Sequence, residues 1–179
     1  MRMKDYAVGM AAYNSWMNDR IFGCAAELSD AERKRDRGAF FRSIHGTLNH
    51  ILLADESWLQ RFRGQPVTMV SPSQEVHSDF EDLRAARRAM DGEIALWADA
   101  LTDSFADQPF AFYSVTYQKN RVIPGWVAVA HVFNHQAHHR GQVTTLLKQA
   151  GKDPGVTDLP WMPRFDGPVV EGGGASEVI

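Results

Sequence analysis

The sequence predicts an all-α chain, a four-helix bundle with a short extended or hairpin excursion before the last long helix. Three observations carry that reading. Apolar residues recur at alternating spacings of three and four in four separate stretches. Capping residues, Gly or Pro mark most of the boundaries between those stretches. Only between Ser104 and Pro124 does the pattern turn to aromatic and β-branched residues.

The first stretch runs from Lys4 to Leu28, with Met10, Met17, Ile21, Cys24 and Leu28 on one stripe. Ser29-Asp30-Ala31-Glu32 then has the Ser-x-x-Glu form of a capping box and predicts a short new helix or turn. Ile44, Leu48, Ile51, Asp55, Trp58 and Phe62 define a second long helix from Ser43 to Phe62, in which Asp55 is the odd polar member. Gly64, Pro66 and Pro72 stop it and predict a loop. Phe80, Leu83, Arg87, Met90, Ile94, Trp97 and Leu101 give the most regular run, a third helix. Phe110 to Tyr117 and Lys119 to Ile123 read as two short strands or an extended excursion. From Gly125 to Ala150 helical spacing resumes through Val129, Val132, Phe133, Val143 and Leu147, and Gly151 stands where a helix-ending glycine belongs. The Pro-rich remainder is expected to cover the bundle through Leu159 and Trp161. A single domain over 1–168 and a flexible tail over 169–179 follow from this plan.

Composition narrows the function classes. The chain has 179 residues, 44% hydrophobic and 23% charged, ordinary for a globular domain. No apolar run approaches the ~18–20 residues of a bilayer-spanning helix, and the polar residues Asn14, Asn18 and Asp19 argue against a secretory signal. The expected address is cytoplasmic, with no membrane partner. A net charge of −3 and a basic cluster diluted by Glu32 and Asp36 argue against nucleic acid. Cys24 is the only cysteine, which excludes an internal disulfide and a cysteine-based zinc site.

Any metal site must therefore come from His, Asp or Glu, and the histidines are clustered. His131, His135, His138 and His139 fall within nine residues of the last helix. Two histidines at i and i+4 lie one above the other and can grip one ion. The helical wheel turns His135 and His139 toward the apolar face and His138 away from it. A third ligand must come from another helix. His45 and His50 are about 140° apart on the second helix, so only one of them would serve.

The stretch from His131 through His135-Gln-Ala-His-His139-Arg-Gly-Gln to Leu147 resembles the fourth-helix signature of the DinB/YfiT-like family of metal-dependent helical-bundle proteins. Tyr13 to Asn18 is similar to that family's first-helix motif, and Ser43 to Asp55, through Asn49 and His50, to its second. The resemblance spans residues 4 to about 160. It implies a four-helix bundle, often dimeric, in which His50, His135 and His139 hold one divalent ion, zinc or nickel foremost, with iron, manganese and cobalt also compatible. It also implies a homodimer.

Three imidazoles leave a zinc-like ion with an open position, as in catalytic sites. Relatives in the wider superfamily act as thiol transferases or thiol-dependent isomerases. The expected function is therefore a metal-dependent enzyme that activates a low-molecular-weight thiol or a water for attack on a small electrophile, transferase-like or hydrolase-like. Asp55, Tyr117, Arg140 and Gln142 are candidate catalytic residues, and Asn49, Asp55 and Tyr117 candidate orienters of an imidazole or of substrate. For each of them a structural role competes: Arg140 in a salt bridge, Asp55 as a buried hydrogen-bonded group. The alternative is a non-catalytic metal-binding or stress-response protein whose ion is structural or sensory. A di-iron bundle is disfavoured, because no Glu-x-x-His pair occurs.

Overall fold

The computed structural model describes residues 2–165, so the expected tail over 169–179 lies outside the described residues. The chain is mostly helical. Four long helices dominate: α1 (Met3–Ala26), α3 (Ile44–Phe62), α4 (Phe80–Ala100) and α6 (Gly125–Gln149). Two short ones, α2 (Asp30–Lys34) and α5 (Asp103–Asp107), lie between them, and two single 3₁₀ turns, Leu159–Trp161 and Pro163–Phe165, come last among the described residues. Strands β1 (Pro109–Ser114) and β2 (Lys119–Pro124) form one antiparallel pair, with Phe110 opposite Ile123 and Phe112 opposite Arg121. The excursion before the last helix is thus a hairpin, and the sequence reading missed α5.

The boundaries follow local chemistry. Ser29 Oγ accepts from the Glu32 amide, Ser43 Oγ from Gly46, and an Asp79 carboxylate oxygen from Glu81 and Asp82, so three helices begin on side-chain caps. Gly151, at φ +76°, ends α6 in the left-handed region that glycine tolerates. Gly46 is required for a different reason: a Cβ there would collide with the backbone carbonyl of Phe41.

The long helices touch in a ring, α1 against α4 and α6, and α3 against the same two. Their interior divides into two apolar clusters. One gathers Met17, Ile21, Leu48, Ile51, Leu83, Val143 and Leu147. The other gathers Ala7, Ala11, Leu59, Ile94, Val129 and Phe133. Burying each large aliphatic side chain contributes roughly 1.5–3 kcal/mol, so these clusters supply the main drive to fold.

Along every long helix a polar layer separates the two clusters. Arg87 of α4 is 2% exposed; its Nη1 donates to Asp55 of α3 at 2.6 Å, and its Nη2 lies 2.9 Å from Asp91. Asp91 accepts from Asn14 and Asn18 of α1 at 2.8 and 2.9 Å, and Arg140 of α6 donates to the Asn14 carbonyl oxygen. Two arginines and two aspartates balance in formal charge. Such a group is costly to desolvate and stays in place only with its partners complete.

The C-terminal segment departs from expectation in one detail. Leu159 and Trp161 are exposed, at 38% and 68%, whereas Met162 between the 3₁₀ turns is buried. The turns rotate Met162 inward and Trp161 out.

Candidate metal centre

His135 and His139 sit one turn apart on α6, and His50 approaches from α3. His135 Nε2 lies 3.3 Å from His50 Nε2 and 3.1 Å from His139 Nε2. One ligand nitrogen from each of the three falls within 4.8 Å of the others. Nitrogens bound tetrahedrally at the usual 2.0–2.1 Å of a zinc ion stand about 3.3 Å apart, which matches these two separations.

The surroundings fix which nitrogen is available on two of the three rings. His50 Nδ1–H donates to the Pro72 carbonyl at 2.8 Å, and His139 Nδ1–H donates to Gln142 Oε1 at 2.8 Å. Each bond leaves the lone pair on Nε2, pointed at the shared centre. Phe41 stacks on the His50 ring at 3.8 Å and 17°, closing its other face.

Burial keeps the cluster neutral. Desolvation lowers His50 to about 4, against the pull of the Pro72 carbonyl, with the neighbouring His139 adding to the depression. It lowers His135 to about 3, reinforced by His139 and His50. His139 is lowered by desolvation as well, against the Gln142 bond. Neutral imidazole is the form that ligates a metal, so the donor set, its spacing and the tautomers of His50 and His139 fit a divalent ion.

Pro72 reaches His50 because Asn49 holds the loop after α3. Asn49 Oδ1 accepts from the amides of Val76 and His77, both at 2.9 Å, and Nδ2 donates to the carbonyls of His77 and His45. Asn49 therefore braces the loop whose Pro72 carbonyl meets the His50 imidazole.

The other candidates separate. Gln142 touches the cluster directly, through His139. Asp55 and Arg140 belong to the buried polar layer, where burial pushes the Asp55 carboxyl up against the opposing pull of Arg87. Tyr117, 70% exposed, lies at the hairpin end and lines the adjoining cleft. His45 is buried with Nε2 bonded to the His77 carbonyl, outside the cluster. His138 is exposed, and its Nε2 lies 3.3 Å from Gln142 Nε2. Sequence reasoning missed Phe41 and Pro72, which lie in irregular segments. Gln142 carried a signal, its i+3 position after His139.

His50 and His135 also form one end of a cleft of about 450 Å³ between α3, α6 and the hairpin. Trp58, Met69, Phe112 and Ile123 give it apolar walls, and no aspartate or glutamate lines it among the described residues.

The DinB family profile matches residues 2–170. Over 171 residues the chain is 26% identical to Protein DinB of Bacillus subtilis (strain 168), covering 87% of this chain and 92% of that one. In fold it is similar to a DinB-like protein from Bacillus cereus ATCC 10987 known from a crystal structure, with a TM-score of 0.60 and 20% identity over 78% of this chain and 90% of that one. With its profile matched along nearly the whole length, the chain belongs to the DinB family.

Proposed function

We propose that this protein is a metal-dependent enzyme, built on a four-helix bundle, in which His50, His135 and His139 hold one divalent ion and a thiol or water is activated to attack a small electrophile. The observation that carries the reading is the position of the histidine cluster. It stands at the end of an open, largely apolar cleft, with two of its rings on the cleft wall. A purely structural ion needs no such opening.

When bound, zinc or nickel there would supply Lewis acidity, bringing a thiol or a water into its deprotonated form near neutral pH. The chain's own residues do the rest. Pro72 and Gln142 hold two imidazoles in the ligating tautomer, and Phe41 covers His50 from solvent. His131, one turn before His135, lines the cleft. Desolvation lowers its pKa and the Arg61 charge adds to the effect, which favours the neutral imidazole.

The test is a thiol-dependent activity screen on the metal-loaded protein, with 1-chloro-2,4-dinitrobenzene as a general electrophile and ester hydrolysis as the water-dependent arm. Turnover that disappears in His135→Ala while circular dichroism stays native supports the enzyme. Unfolding on chelation, with no turnover in either arm, assigns the ion a structural role instead.

A further inference from the structure

We infer that the cleft beside the histidine cluster recognises an organic oxyanion, a carboxylate or phosphate on an apolar body, with Arg61 as its anchor. The inference deepens the proposed function by naming a substrate class, and it rests on the cleft being the substrate site.

Arg61 lies on α3 eleven residues after His50, and both residues line the same cleft. Its guanidinium carbon stands 5.0 Å from the Trp58 ring centre and 5.7 Å from that of Phe112, so two aromatic faces hold the fork in place. Nε is buried without a hydrogen-bond partner, and among the described residues no carboxylate comes within ion-pair distance of the side chain. Most other arginines of the described chain meet an acid or a carbonyl. Arg121, the cross-strand partner of Phe112, brings a second guanidinium to the same wall, also without an ion pair among the described residues. Two cations and no acid therefore face one cleft in a chain whose net charge is −3.

A planar, aromatic-held guanidinium with free N–H groups is the shape that binds a carboxylate or phosphate through two parallel hydrogen bonds. Eleven residues of helix set the Cα atoms of His50 and Arg61 about 16 Å apart along the axis, and a helical side chain leans toward the N-terminus. The span left between cluster and guanidinium is on the order of 10 Å. That suits a ligand with its reacting group at the histidines and its oxyanion at Arg61, and with an apolar body along Trp58 and Phe112.

The test is calorimetric titration of the full chain as purified, and of His135→Ala in parallel, with 4-phenylbutyrate, 3-phenylpropyl phosphate and the neutral 4-phenylbutyramide. The inference predicts that at least one anion binds about tenfold or more tighter than the amide, and that Arg61→Gln abolishes this preference without weakening the amide. The tighter anion identifies the oxyanion as carboxylate or phosphate. Should Arg61→Gln lose its native circular dichroism, Arg61→Lys serves in its place and is expected to keep a reduced preference. Equal affinity for anion and amide, no saturable binding of any probe, or a preference unchanged in the Arg61 variant overturns the inference. A preference that persists in His135→Ala separates anion recognition from the metal, so either reading can fail alone.

Discussion

Replacing Asn49 with Ala tests how His50 is held. The side chain makes four hydrogen bonds, two accepted from the amides of Val76 and His77 and two donated to the carbonyls of His45 and His77. A typical bond contributes about 0.5–1.5 kcal/mol net, and the loop amides are only partly buried, so water recovers part of the loss. The expected destabilisation is about 2–3 kcal/mol, read by urea denaturation. The second effect is specific. Releasing residues 72–77 frees the Pro72 carbonyl from His50 Nδ1, and loss of such an outer partner lowers metal affinity roughly 10- to 100-fold. Zinc titration against a competing chelator measures that loss. Asn49→Asp keeps the acceptor for both loop amides but turns an oxygen toward the His45 and His77 carbonyls, and is expected to recover only part of the affinity. An Asn49→Ala protein destabilised as stated but binding zinc as tightly as wild type would refute the idea that the loop orients His50.

Three further outcomes are expected. Asp55→Ala leaves Arg87 buried beside a single carboxylate and should cost about 3–5 kcal/mol in chemical denaturation, whereas the paired Asp55→Leu, Arg87→Met change should cost far less; equal costs would contradict the polar layer as a coupled unit. Gly46→Ala drives a methyl into the Phe41 carbonyl and should destabilise by about 1–3 kcal/mol while displacing Phe41 from His50, visible as weaker zinc binding. The metal-free protein should lose stability in acid. His50 titrates near 4 folded and near its ordinary 6.5 unfolded, so the unfolded chain takes up the proton first. Its contribution is complete above pH 6.5 and is lost as pH falls toward 4, with His135 extending the window toward 3. The His50 gap alone corresponds to roughly 3 kcal/mol, and melting temperatures flat from pH 7 to 4 would contradict it.

Local periodicity made the long helices legible, because each has a stripe dense enough to mark its own ends. The same periodicity failed where burial is not one-sided. On the wheel His50 falls beside Thr47, Ala54 and Ser57, at the edge of the α3 stripe, yet all four are buried. The segment carrying Phe41 and the loop carrying Pro72, Val76 and His77 cover that edge, and nothing in the spacing of α3 announces them. The pairing of His135 with His139 was legible because the two residues stand one turn apart on the same helix. The role of Arg87 was not, since it occupies a core position and meets Asp55 thirty-two residues away. Helix α5 has five residues, too few to show a period. Arg61 escaped for a related reason: its significance lies in what does not face it, and that depends on the whole cleft.

Everything proposed for the site requires that the three imidazoles share one cation. Metal content after exhaustive dialysis against zinc-buffered solution tests it most directly, comparing wild type with His135→Ala at matched native circular dichroism. About one ion per wild-type chain and almost none in the variant is expected. Equal metal in both proteins, or none in either, would contradict it.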